Sequence, residues 1–143
     1  MFKLFSLILI IGLLTFVQAF DFSIFNIKPN LALVAIVVAS FFIADFWEGT
    51  LLVLISTFIL KFSPGFNKEI LIFFLLGIGF VAIAKHLPWL RWVNNILLII
   101  LGTFLFYLFL NADLILSLTF LKEMFLNLSF GALFFGIIHI LLR

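Results

Sequence analysis

The chain has 143 residues, of which 67% are hydrophobic and only 10% charged, with a net charge of +2 and no cysteine. Soluble domains are about half apolar and a quarter charged, so no soluble fold of this size hides so much apolar surface; a bilayer removes the problem, because lipid solvates outward-facing side chains. The missing thiols exclude disulfides and thiolate chemistry, and so weak a charge gives no reason to expect nucleic acid as a partner.

A membrane-spanning helix needs about 20 mostly apolar residues, about 17 at the short limit. Taken in chain order, candidate spans cover residues 4–20, 31–46, 49–60, 70–84, 93–110 and 124–142. They are apolar all round, as lipid-exposed or fully buried helices are. The expectation is an all-α, polytopic transmembrane bundle of about six helices, forming one integral membrane domain over residues 1–143. Val17-Gln18-Ala19 resembles a signal-peptide cleavage site, but the polytopic remainder favours an uncleaved first helix. Residues 31–60 are one apolar stretch broken by Asp45-Phe46-Trp47-Glu48-Gly49. Two acids and a Gly at its middle favour a hairpin of two short helices over one long tilted helix. The second of the two is short enough to span only where the bilayer is thin or neighbours cover its end. Lys61-Phe62-Ser63-Pro64-Gly65 is turn punctuation. Residues 114–121 are apolar but too short to span, and Lys122-Glu123 ends them, which suggests an interfacial or re-entrant piece.

Orientation is weakly encoded. With the N-terminus inside, Lys3, Lys85, Arg91 and Arg143 are cytoplasmic, while Lys28, Lys61, Lys68 and Lys122 are outside, a tie by the positive-inside rule. The densest basic segment, residues 85–92, holds Lys85, Arg91 and the headgroup anchors Trp89 and Trp92, and argues for a cytoplasmic loop.

No catalytic motif is present. There is no Gly-rich phosphate loop and no Gly-x-Ser-x-Gly elbow. His86 and His139 lie on separate segments, too few for a metal site, and neither a metal nor a cofactor is expected. The longest non-membrane segments are about ten residues, far below a domain. Asp45 and Glu48 share a helix face at i and i+3, and intramembrane acids are functional candidates by default. Trp47 and Gly49 beside them favour the plainer reading, a hydrated interfacial turn. Asp113 suits a helix flank. His139 suits a neutral imidazole hydrogen-bonded to a neighbouring helix. Gly77, Gly79, Gly131 and Gly136 suit close helix approach. Asn127-Leu128-Ser129 fits the glycosylation pattern but abuts the last span, which suggests chance.

Several of these residues occur in a familiar order. Gln18 closes the first span, Pro29-Asn30-Leu31 opens the second, and Gly49 marks the next hairpin. This pattern resembles the MreD family, the small membrane subunit of the bacterial cell-elongation machinery. The specific part is confined to residues 16–65. The family's closing motif is not met: Lys61 stands where an acid is usual, and Ser56-Thr57 replace its glycine. The resemblance implies a bundle similar to the substrate-binding subunits of energy-coupling-factor vitamin transporters. It also implies a multi-pass place in the bacterial inner membrane. The implied role is a non-catalytic scaffold in rod-shape maintenance and peptidoglycan synthesis, with an MreC-like protein and other elongation-complex membrane proteins as partners. The competing reading is a small-molecule transport component on the same bundle, which requires a pocket with several convergent polar groups. For a scaffold, Gly77 and Gly79 are the first-choice partner-contact face.

Overall fold

The computed structural model describes residues 2–61 and 67–142; most of the turn expected at 61–65, and Arg143, lie outside them. The described residues are helical, with α1 at Phe2–Ala19, α2 at Leu31–Ser40, α3 at Phe46–Leu60, α4 at Lys68–Ile83, α5 at Arg91–Asn111 and α6 at Leu118–Leu141. Short 3-10 turns extend α4 through Ala84–His86 and α5 through Ala112–Leu114. Four stretches, containing α1, α4, α5 and α6, are long and apolar enough to cross a membrane, as a multi-pass protein requires. The other two helices are shorter. Ten residues make α2 about 15 Å long, half of the roughly 30 Å hydrocarbon core.

The short helix is the centre of the fold. Every residue of α2 is buried, and it packs against all five other helices. Its sequence, Leu-Ala-Leu-Val-Ala-Ile-Val-Val-Ala-Ser, explains this position. Ala32, Ala35 and Ala39 let neighbours approach closely, and close packing drives helix association where lipid is as apolar as the side chains. The outer helices reverse the pattern: Phe5, Leu13, Phe58, Leu75 and Phe125 are exposed. α1 is integral to the packing, with Leu7, Ile11 and Thr15 buried. Thr15 donates to the Ile11 carbonyl at 2.7 Å and lies 3.3 Å from the Ser56 hydroxyl of α3.

The hairpin of two short helices is present, but α2 stops at Ser40 instead of continuing to 46. The Ser40 hydroxyl donates to the Val37 carbonyl, and the N–H groups of Phe41 and Phe42 turn back to Val38 and Ala39. This tightens the end into a turn over residues 41–45. A second correction concerns residues 114–121, which are not a separate piece ending at Lys122-Glu123. They contain a 3-10 turn, a left-handed Leu116 (φ 67°) and the start of α6. Ser117 caps α6, its hydroxyl accepting from the Phe120 N–H at 3.1 Å. Lys122-Glu123 therefore lies inside the last helix, not before it. Asp113 lies in the 3-10 turn flanking α5, as expected.

Candidate functional site

The start of α2 is buried, so water does not serve its first N–H groups, and each needs a partner from the protein. The N–H of Leu31 bonds the Pro29 carbonyl, and that of Val34 bonds the Asn30 carbonyl. The Leu33 N–H donates to Asn30 Oδ1 at 3.2 Å, the N-cap bond. The Ala32 N–H is met from another helix, donating to Gln18 Oε1 at 2.6 Å, while Gln18 Nε2 donates to Asn30 Oδ1 at 3.4 Å. Pro29 is buried too; it has no N–H to satisfy at the entry to the helix. Gln18, Pro29, Asn30 and Leu31, which carry the sequence resemblance, thus form one device that closes the start of the central helix.

The device extends into α5 and α6. The Asn30 N–H donates to Asn127 Oδ1 at 3.0 Å, and Asn127 Nδ2 donates to Thr103 Oγ1 at 3.0 Å. One turn before Asn127, Glu123 accepts from the Tyr107 hydroxyl, and Asn127 is a further partner of its carboxylate. Asn127 is fully buried about two and a half turns into α6, which rules out glycosylation in this fold. An open cavity of about 130 Å³ lies beside the network, lined by Gln18, Asp21, Asn30, Asn67 and Glu69 among others.

The other candidates lie at the opposite end. Asp45 is the N-cap of α3, exposed, with no side-chain capping bond. Glu48, three residues on, is half-buried, and its Oε2 accepts from the Ala44 N–H at 2.9 Å. The pair brackets the start of α3, with Asp45 exposed and Glu48 bonded to the backbone. Lys85 donates to the Ala44 carbonyl and ties the end of α4 to this turn. Gly49 is buried where a Cβ would collide with Val81 and Ile43, so only glycine admits this crossing of α3 and α4. Trp47, Trp89 and Trp92, the three tryptophans of the chain, are exposed at this end, where interfacial anchors belong.

The two expected partner-face glycines separate. Gly77 packs inside the bundle, with a Cβ there reaching Val53 at 3.0 Å, whereas Gly79 has nothing within 4 Å. Gly77 is therefore removed from the outward face, and Gly79 alone fits it. His139 is exposed and stacks on Phe135 of its own helix at 6.4 Å between ring centroids, where a bond to a neighbouring helix was expected. Among the described residues no group of three His, Asp or Glu side chains is arranged to hold a metal.

Sequence reasoning missed Thr103, Tyr107, Glu123 and Asn127 as a set. The available signal was spacing: Glu123 and Asn127 stand at i and i+4, and so do Thr103 and Tyr107, so each pair shares one helix face. No family model, curated protein or solved structure matches the chain.

Proposed function

We propose that this chain is a non-catalytic scaffold subunit of the bacterial cell-elongation complex, a multi-pass protein of the inner membrane that binds an MreC-like partner through its helix faces. The observation that carries the reading is the convergence of Gln18, Pro29, Asn30 and Leu31 on the start of α2. Residues that match the MreD pattern across two spans serve one structural purpose, so the match is a signature of a bundle built around a short buried helix. On this reading the bundle is of the type found in energy-coupling-factor substrate-binding subunits. A scaffold use of it is favoured over transport because the polar groups at the start of α2 bond to one another.

Depletion of the protein from a rod-shaped host tests the proposal. Cells are expected to round up, with solute uptake unchanged. Normal shape together with loss of uptake of one vitamin-like solute would overturn it in favour of the transport component.

A further inference from the structure

We infer that the bundle forces a step in one leaflet of the bilayer. At the end where α2 starts, hydrocarbon climbs the α5–α6 side about 10 Å further than the α3–α4 side, where headgroups and water come down to the polar cavity. This goes beyond the scaffold reading and does not depend on it.

Hydrogen bonds between helices set the levels. Thr15 of α1 lies 3.3 Å from Ser56 of α3. Both helices run toward the start of α2, since Gln18, Ala19 and Leu60 line one cavity there with Asn30. At a rise of about 1.5 Å per residue, Lys61 then stands about 3 Å beyond Gln18. Gln18 is joined through Asn30 and Asn127 to Thr103, which places α5 and α6 on the same scale. From Thr103, α5 rises about 12 Å to its last residue, Asn111. From Asn127, α6 reaches back about 14 Å to its first residue, Leu118. The α5–α6 tip therefore stands about 10 Å beyond the end of α3.

The two sides carry opposite surfaces. On the tip, Leu108, Phe109, Leu114, Leu116, Leu118 and Leu121 are exposed. On the lower side, Lys61, Asn67, Lys68 and Glu69 are exposed, and Asn67 and Glu69 line the cavity with Gln18 and Asn30. A flat boundary at the lower level would put the apolar tip into water. A flat boundary at the upper level would put a carboxylate and two ammonium groups into hydrocarbon, which is expensive. A stepped leaflet avoids both, because a bilayer thins beside a short apolar surface at modest cost. Lys122, the exposed cation of the tip, fits the step. Helix side chains lean toward the N-terminus, so its long stem carries the ammonium outward. Lipid, not a partner helix, is the occupant of the α5 flank. Helix contacts in membranes use small residues, and residues 104–110, Phe-Leu-Phe-Tyr-Leu-Phe-Leu, contain none.

The chain has no cysteine, so single introduced cysteines can carry a nitroxide spin label. Asn67→Cys replaces an exposed side chain that makes no capping bond. Leu108→Cys and Phe109→Cys each report the exposed flank of α5. The full chain is reconstituted in vesicles of phosphatidylcholine and phosphatidylglycerol. Collisions of the label with oxygen, which concentrates in hydrocarbon, are compared with collisions with a water-soluble nickel chelate. Position 109 stands about 9 Å beyond Thr103, whereas Asn67 lines the cavity level with Gln18. The outer position is nevertheless expected to be the drier one: the label at 67 meets mainly the nickel chelate, and those at 108 and 109 meet mainly oxygen. Nickel-chelate contact at all three would mean a flat boundary at the lower level, and oxygen contact at all three a flat boundary at the upper level. Shielding of 108 and 109 from both reagents would mean that protein, such as a second copy of the chain, covers the tip. Each of these three results would overturn the step.

Discussion

The two ends of the bundle use asparagine in opposite ways. At the start of α2, Asn127 uses its Oδ1 on a backbone N–H of one helix and its Nδ2 on a hydroxyl of another. At the far end, Asn94 and Asn95 donate to carbonyls and leave each Oδ1 buried without a partner among the described residues. The first arrangement closes on itself and specifies the fold, because a fully satisfied buried network rigidifies what it joins. The second leaves hydrogen-bonding capacity over. A closed network joins the helices it touches, whereas an unpaired buried acceptor costs free energy without joining anything.

The largest expected effect breaks the closed end. Asn127→Leu leaves the Asn30 N–H buried without an acceptor, at about 1–3 kcal/mol for the orphaned group. Thr103→Val removes only the side-chain pair, and such interhelical bonds average about 0.6 kcal/mol in membranes. Asn127→Leu is therefore expected to destabilise the bundle clearly more, with Gln18→Leu close behind because it strips the Ala32 N–H of its acceptor. Unfolding by denaturing detergent measures the order. Equal losses for Asn127→Leu and Thr103→Val would mean that the cap of α2 is not what the network protects.

A second pair of variants separates bundle packing from partner contact. Gly77→Leu forces a side chain into Val53, and overpacking a filled interior costs about 1–3 kcal/mol. Gly79→Leu meets open space and is expected to leave unfolding unchanged while weakening co-purification with an MreC-like partner. If Gly79→Leu co-purifies normally, the partner face lies elsewhere. If Gly77→Leu is as stable as the parent chain, the α3–α4 crossing is looser than its geometry.

How legible each part was in the sequence follows the same division. Helix order and the hairpin at Asp45–Gly49 were readable because apolar runs and turn residues are local signals. The early end of α2 was not, since Phe41, Phe42 and Ile43 are as apolar as the helix they follow and only the backbone turns. The start of α6 was misplaced because Lys122-Glu123 looks like a boundary. Lys122 is exposed and Glu123 is occupied by Tyr107 from α5, a contact that pattern alone does not reveal. Gln18 and Asn30 were singled out by their order along the chain, but their bond to each other and to Asn127 depends on packing across 97 residues of sequence separation. The opposite directions of Gly77 and Gly79 were within reach, because residues two apart on a helix do not share a face.

The smallest expected effect sharpens the reading of the acidic turn. Two carboxylates buried together in hydrocarbon would be costly, about 2.5–3.5 kcal/mol for one such charge on insertion scales. The fold avoids this by leaving Asp45 exposed and giving Glu48 the Ala44 N–H. A carboxylate in the first turn of a helix contributes about 0.3–1 kcal/mol. Glu48→Ala is therefore expected to cost no more than about 1 kcal/mol in total, and Asp45→Ala less, since Asp45 makes no capping bond. Accessibility gives the independent check. Cysteine at position 45 is expected to react with a membrane-impermeant thiol reagent added to one side only, and cysteine at 48 to react more slowly on that same side, as its half-burial requires. Silence at both positions from both sides would place the pair away from water and revive an intramembrane role for it. Labelling of the two positions from opposite sides would contradict the turn itself, because residues three apart at one helix start share one end of the bundle.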